Sequence, residues 1–588
     1  METQRNIIVK KLLDDNCQSL LAGVGRAKVN RCNVRPATAT RQAGVLATCA
    51  VIVLGGIVAQ PIPAQVTTRE DFTTFATDPV SGKPTAKLAS LRKGVAAMMA
   101  LDVGKADKDL DPMGWKFQAY IHGVPGTVTT QKTWTKEENE VWETCEHSTW
   151  FFLSWHRMEL YYFERIMRVM AGDPTLSLPY WNFGVPATVA TPAVGARIPP
   201  EFRVVANNSL YWTHRNKARN MPPPANPKDP DPAMPLPGAA TTAVAAFMKT
   251  AFYTNVLANG PTTFGGGAKV GTMHGTTGSG KGALENVPHD SVHGAVGMKG
   301  DGLSMSDPDG AGLDPIFWPV HVNIDRAWAC WQQLHANTEP TEAGNAWLTH
   351  AFVFWDAGGT ATEPAAKRVT LTGAQIIKIA AAPLNYMYDN NCNGFLPPAP
   401  APKIRPVLTS ALGTGQEGMP TGSDQGLSAT ARFDGILENE PVVIKVRIPQ
   451  SMQARIRELA RGGVMPAGSV MLTFGGIAID NRSASPGYAI FVGLPEGSFP
   501  DETGKYYVSQ LTFFGIGHHR FDDDHPESAL GFDATDVVES LIASGEWSGD
   551  EVSVTLVDTD GLNTDRVGAP PASPEWRARF TSVKLTVQ

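Results

Sequence analysis

Residues 144–168 read TCEHSTWFFLSWHRMELYYFERIMR, and this stretch limits the fold more than any other. Two histidines, His147 and His156, stand among Trp150, Phe151, Phe152 and Trp155, and the run continues into a long amphipathic segment. An imidazole inside that much aromatic bulk is an unfavourable core group unless its nitrogens are engaged. At about 100° per residue, positions 147 and 156 fall on opposite faces of one helix. They can converge only if His147 lies in the loop before the helix. Ser148 or Thr149 as N-cap would start the helix there, and His156, Leu160, Phe163 and Met167 would then share an inward stripe. The stretch therefore calls for a helical protein in which a loop histidine and a helix histidine meet inside.

A second set lies downstream. In ENVPHDSVHGAVG, His289 and His293 stand at i and i+4, the spacing of two ligands on one helical face, with Pro288 near the helix start. DPIFWPVHVNIDRAWACW supplies His321, with Asp325 one turn further on and Asp314-Pro315 as the opening turn. His122 in FQAYIHG, read as a loop residue, completes the first trio. Six imidazoles with no clear cysteine or carboxylate among them suit copper better than calcium or magnesium, and at least as well as zinc. The zinc-hydrolase pattern H-E-x-x-H would need glutamate at position 290, where Asp290 stands. His214, His274, His335, His350, His518 and His519 have no comparable frame.

At 588 residues the chain exceeds one ordinary core. Its 42% hydrophobic and 18% charged residues are those of a soluble globular protein. A formal net charge of -7 leaves no basic excess to neutralise phosphates, which argues against a nucleic-acid partner. GTTGSGKG lacks the phosphate-loop frame, because Gly282 follows Lys281. Before residue 65, eight Lys or Arg stand against Glu2, Asp14 and Asp15, followed by the uncharged AGVLATCAVIVLGGIVA and then QPIPAQ. Residues 1–64 thus read as an export signal delivering the chain to periplasm or medium. An organelle lumen, or a single N-terminal membrane anchor, is the alternative, since the apolar run approaches the roughly 20 residues that span a bilayer. With the signal removed, the chain keeps Cys145, Cys330 and Cys392. Residues 65–398 are dense in aromatics and helical periodicity. A Pro/Gly-rich linker occupies 399–427. From 428 to 588, short β-branched runs at 441–448, 468–479, 488–494, 505–516, 551–558 and 582–588 predict an antiparallel sandwich or barrel, with one helix at 534–544.

On these residues the chain resembles the tyrosinase, or polyphenol oxidase, family of type-3 dicopper proteins. CEHSTWFFLSWHRMELYYFER resembles the family's first copper-binding helix. ENVPHDSVH resembles the E-N-x-P-H-N-x-x-H of plant-type members, and DPIFWPVHVNIDRAW resembles D-P-x-F-x-x-H-H-x-N-x-D-R-x-W. LPYWNF, FVFWD through PLNYMYD, ARFDGI, FVGLPEG and VSVTLVD extend the likeness over nearly everything after residue 85. The resemblance implies a mainly α catalytic domain, a four-helix bundle holding a dicopper site, followed by a β-sandwich C-terminal shielding domain. It implies two copper ions, one on His122, His147 and His156 and one on His289, His293 and His321. It also implies a thioether between Cys145 and His147, Phe317 packed over the second copper, and Glu285 holding a water. Glu285 and Asp290 together would take a phenol proton. Asn323 and Asp325 would support the ligands, Asp325 acting through Arg326. Arg157 and Glu159 are read as packing and ion-pairing residues.

Three positions depart from the family pattern. Val320 replaces one histidine of the doublet, Asp290 stands for the frequent asparagine, and Pro308 aligns with the plant-type gate phenylalanine, which implies a more open mouth. The implied activity is oxidation of small phenolic substrates by O2, taking catechols to o-quinones and monophenols to their ortho-hydroxylated products. The enzyme would be made latent and opened by an activating protease that cuts the linker. An oxygen-binding protein resembling molluscan hemocyanin units is the alternative from another class. The single-unit length, Glu285 and the export signal favour the enzyme.

Overall fold

The computed structural model describes residues 66–587, apart from 127–133, 185–194, 237–246, 255–262, 269–280, 396–426, 480–486, 515–527, 559–577 and shorter stretches between them. The expected export signal, nearly all of the linker, and His274, His518 and His519 lie outside the described residues. No helix among the described residues is long and apolar enough to cross a membrane.

The first part of the chain is helical. Helices α1 (Ala86–Leu101), α2 (Trp115–His122), α3 (Phe152–Ala171), α4 (Ser291–Val296) and α5 (Phe317–Leu334) carry or flank the histidine motifs. Helix α3 starts later than its N-cap candidates predict. Phe151 is the cap residue and offers no side-chain bond, while Thr149 Oγ1 accepts the Phe151 N–H at 3.1 Å. The helix ends at Gly172, whose φ of 64° is a left-handed C-cap suited to glycine. A hairpin of β1 (Ala351–Gly359) and β2 (Pro364–Thr372) packs against α3, with Phe354 beside Trp155 and Tyr162.

Asp325 on α5 ties these elements together. Its carboxylate accepts from Arg157 Nε (2.5 Å) on α3, Arg69 Nη1 (3.3 Å), and the hydroxyls of Tyr386 and Tyr388 (2.5 Å each). Both tyrosines lie on a short strand that pairs in parallel with Thr67–Arg69. Burial alone would push the Asp325 carboxyl up, but Arg157 and Arg69 outweigh it and hold it below its ordinary value. The expected route through Arg326 is corrected here. Arg326 donates instead to Asn323 Oδ1 (2.9 Å) and Asn182 Oδ1 (2.8 Å), and lies over the rings of Tyr180 and Phe395. The reason is geometric: Asp325 and Arg326 are consecutive on one helix and point about 100° apart.

The last part of the chain is a sandwich of two four-stranded antiparallel sheets. The strands are β3 (Leu427–Leu437), β4 (Val442–Arg447), β5 (Val470–Ile479), β6 (Gly487–Val492), β7 (Tyr507–Thr512), β8 (Ser528–Asp533), β9 (Glu551–Asp558) and β10 (Ala578–Val587). Their orders are β8-β5-β10-β3 and β4-β9-β6-β7. Alternation is plain in β4, where Ile444 and Val446 are buried while Val443, Lys445 and Arg447 are exposed. Six of the eight strands coincide with the predicted runs, and the sequence reading missed β3 and β8. The expected helix appears as α7 (Thr535–Ala543), and α6 (Gln450–Arg461) was not anticipated.

Cys330 on α5 and Cys392 form a disulfide. The sequence reading kept both cysteines without pairing them. The bridge fastens the chain just before the linker to the helix that carries His321. It closes 62 residues, which by loop entropy is worth about 4 kcal/mol. Reductant, or Cys392→Ser, should therefore lower the denaturation midpoint correspondingly; identical midpoints with and without reductant would show that no bridge forms. Asp325→Asn should cost roughly 3–5 kcal/mol in chemical denaturation, because Arg157 would remain buried without its counter-charge, whereas Arg69 keeps Glu164. A loss under 1 kcal/mol would contradict the role given to Asp325.

Candidate metal centre

The six predicted histidines converge in one buried cavity. None is more than 3% exposed, so the i and i+4 pair His289/His293 is not a surface coincidence. The donor atoms of His122, Cys145, His147 and His156 lie within 4.8 Å of one another, and so do those of His156, His289 and His321. His293 joins the second group, its ring centroid 4.4 Å from His289 and 5.2 Å from His321. These clusters can hold metal.

Local structure aims each ring. His122 is the last residue of α2 rather than a loop residue, and its Nδ1 bonds the Pro308 carbonyl at 2.9 Å. Gly123 follows it, where an added Cβ would stand 2.7 Å from that same carbonyl oxygen. Pro308 is thus a buried support for His122. His156 Nδ1 bonds Phe152 O (2.7 Å), His321 Nδ1 bonds Phe317 O (2.9 Å), and His293 Nδ1 bonds Met305 O (2.7 Å). His289 Nδ1 bonds Asp290 Oδ1 at 2.8 Å. Carbonyl and carboxylate oxygens only accept, so in these five rings Nδ1 carries the proton and Nε2 keeps a bare lone pair.

The lone pairs face inward. His289 Nε2 and His321 Nε2 stand 3.1 Å apart. With both Nδ1 atoms protonated, neither Nε2 can donate to the other. His293 Nε2 is buried with no hydrogen-bond partner among the described residues. Burial, followed by mutual repulsion among the rings, holds His156, His289, His293 and His321 well below the ordinary imidazole value, so protonation does not relieve the crowding. Lone pairs so arranged ask for a shared cation.

The segment bearing His289 is not one straight helix. Glu285–Asp290 is broken by a kink, with Val287 extended (φ -146°, ψ 121°), before α4 begins. Pro288 forces this, since the residue before proline is driven out of helical geometry. Ser148, left-handed at φ 56°, turns its N–H to Glu285 Oε1 (2.7 Å) and so joins the His147 loop to this segment. Glu285 Oε2 has no partner among the described residues, and burial pushes this carboxyl up to about 8. Phe317 lies over His321, ring centroids 3.9 Å apart, and 4.8 Å from His122. Cys145 is unpaired in disulfide terms, with Sγ 3.6 Å and 3.8 Å from the two ring nitrogens of His147 and 3.4 Å from His156 Nε2. Arg157 pairs as expected. Glu159 does not: both its oxygens are buried without partners among the described residues, and burial raises its carboxyl well above the ordinary value.

The mouth of the cavity is occupied by the β sandwich. Phe514, just beyond β7, is fully buried, with its ring 4.2 Å from His293, 5.4 Å from His147 and 5.5 Å from His289. Around it, Thr512 Oγ1 donates to Asp290 Oδ2 (2.6 Å), Ser291 Oγ to Gln510 Oε1 (2.6 Å) and Asn286 Nδ2 to Gln510 O (3.3 Å). Lys281 Nζ donates to Asp290 Oδ2 (2.5 Å) and to the Phe514 carbonyl. Both oxygens of Asp290 are therefore engaged. Lys281, Gln510, Thr512 and Phe514 were not found from the sequence, because their partners lie up to 233 residues away and no local spacing marks them.

Comparison with known proteins agrees with this geometry. The model of the common central domain of tyrosinase matches residues 112–334, and that of a domain of unknown function (DUF7868) matches 435–567. A tyrosinase of Hahella sp. is 27% identical over 482 residues, covering 77% of this chain and 90% of that protein. A chloroplastic polyphenol oxidase of Vitis vinifera is 30% identical over 286 residues, 47% of this chain, and the match spans 44% of the grape protein's length. In overall fold the chain is similar to a latent aurone synthase (polyphenol oxidase; TM-score 0.53, 20% identity, 90% of each chain) and to latent apple tyrosinase (TM-score 0.52, 20% identity, 89% of this chain and 98% of that one). Residues 112–334 thus carry the common central domain of tyrosinase, and the chain is similar to tyrosinases and polyphenol oxidases, oxidoreductases that act on phenols.

Proposed function

We propose that the chain binds two copper ions and oxidises catechols with O2, with monophenol hydroxylation as its second activity. The observation that carries this reading is the pair of facing, unprotonated Nε2 atoms of His289 and His321 inside a cavity of six histidines. His122, His147 and His156 would hold one copper, and His289, His293 and His321 the other. Six buried imidazoles converging on one cavity, four of them held well below the ordinary imidazole value, fit copper. When bound, the copper pair supplies the binding and activation of O2 and accepts the substrate's electrons.

The protein residues then have distinct tasks. The backbone carbonyls and Asp290 fix ring orientation through Nδ1. Glu285 Oε2 is the acceptor for a phenol proton, directly or through a water. Its raised value of about 8 suits a group that takes and returns a proton near neutrality. Asp290, with both oxygens engaged, is a positioning residue for His289 rather than a second base. The Sγ of Cys145 stands 3.6 Å and 3.8 Å from the two ring nitrogens of His147, a proximity that supports a thioether that would lock this ring.

The domain limits (65–398, linker 399–427, 428–588) and the export segment 1–64 belong to the same proposal. Phe514 seals the cavity, so the full chain is latent and cleavage in the linker frees the mouth. The copper reading is checked by oxygen uptake with 4-methylcatechol on linker-cut chain. Turnover should require copper, vanish with chelator, and fall at least a hundredfold in His156→Ala and His289→Ala; reversible O2 binding with negligible turnover would favour the oxygen carrier. Latency is checked separately. Phe514→Gly in the uncut chain, or a cut within 399–427, should raise catechol turnover at least tenfold, and equal rates in all forms would refute the shield.

A further inference from the structure

Phe514 does more than close the cavity: it shows how a ligand of its own shape is held. Its ring lies over His293 at 4.2 Å, and its backbone carbonyl oxygen accepts a hydrogen bond from Lys281 Nζ. In phenylalanine the ring and the carbonyl carbon are separated by two carbons, Cβ and Cα. An aryl ring bearing a carboxylate at that separation could place its ring over His293 and its carboxylate at the Lys281 ammonium once the sandwich has moved away. Resting on the function proposed above, we propose that Lys281 selects substrates of the 3-arylpropanoate and arylacrylate class, phenols whose carboxylate stands two carbons from the ring.

The chemistry favours a charged acceptor. Lys281 is 7% exposed and its ammonium has three donors, of which Asp290 Oδ2 takes one at 2.5 Å and the Phe514 carbonyl another. A carboxylate replacing the neutral carbonyl would turn this bond into an ion pair with the ammonium, adding the attraction of opposite charges to the hydrogen bond. Asp290 stays in place as the second partner and keeps the ammonium aimed at the cavity. The stretch that carries Lys281 fails as a phosphate loop, and in the uncut chain the same ammonium seats the sandwich through the Phe514 carbonyl.

The test is binding, read by calorimetry on linker-cut chain, both metal-free and copper-loaded. The probes are 3-phenylpropanoate and 3-phenylpropan-1-ol, which differ in the carboxylate and cannot be oxidised as phenols. The metal-free arm removes direct binding of carboxylate to metal. Wild type should bind the acid at least about tenfold tighter than the alcohol, the size expected of a hydrogen bond to a charged group. Lys281→Met should bring the two within about twofold, and Lys281→Arg should retain a preference for the acid. On the copper-loaded form, kcat/KM for 3-(3,4-dihydroxyphenyl)propanoate relative to 4-methylcatechol should fall in Lys281→Met by a similar factor. Equal affinities in wild type, no binding of the acid, or a preference that survives Lys281→Met would each overturn the proposal. Should Lys281→Met fail to fold, the wild-type comparison alone decides. Failure of the dicopper reading is distinguishable, because it would appear as no oxidation of 4-methylcatechol, which has no carboxylate.

Discussion

Two imidazole nitrogens, His289 Nε2 and His321 Nε2, face each other across 3.1 Å with no proton to share. Everything else in the helical part can be understood as holding that contact in place. Backbone carbonyls of the preceding turn tie down Nδ1 of His156 and His321, and the kink at Val287 and Pro288 brings His289 round beside them. Asp325 then locks α3 and α5, which carry His156 and His321, through Arg157. A buried arrangement of lone pairs is unfavourable in itself, so the stability of the surrounding network and the capacity to take up cations are two sides of one design.

The same residues that orient the ligands also form the seat for the β sandwich. Asp290 bonds His289 through one oxygen, and Thr512 and Lys281 through the other. Ser291 and Asn286, on either side of His289, bond Gln510. The docking surface is therefore the back of the metal-ligand segment, and Phe514 enters beside the rings rather than resting on the rim. Loss of the sandwich would return hydrogen-bonding capacity to the residues nearest the reacting atoms.

Legibility in the sequence followed the range of each interaction. Helical periodicity and i/i+4 spacing are local, so the six histidines could be grouped before the fold was known; Cys145, Glu285 and Phe317 came from the family resemblance, and β-branched alternation located most of the sandwich. Where the sequence reading erred, the deciding contact was remote or conformational. Helix α3 starts late because Ser148 turns left-handed toward Glu285, 137 residues on. His122 closes a helix because Gly123 lets the Pro308 carbonyl approach. Asp325 pairs with Arg157 and Arg69, 168 and 256 residues away, rather than acting through its neighbour. The Cys330–Cys392 bridge and the Lys281–Phe514 contact likewise depend on proximity that only the folded chain creates.

The account as a whole requires that the crowded nitrogens be relieved by two cations of one kind. Metal quantitation on purified, fully loaded chain addresses this directly. The expected result is two copper ions per polypeptide, dropping below two when His293, whose inward nitrogen lacks a partner among the described residues, is replaced by alanine. A single metal per polypeptide, or zinc bound in preference to copper, would contradict the central claim.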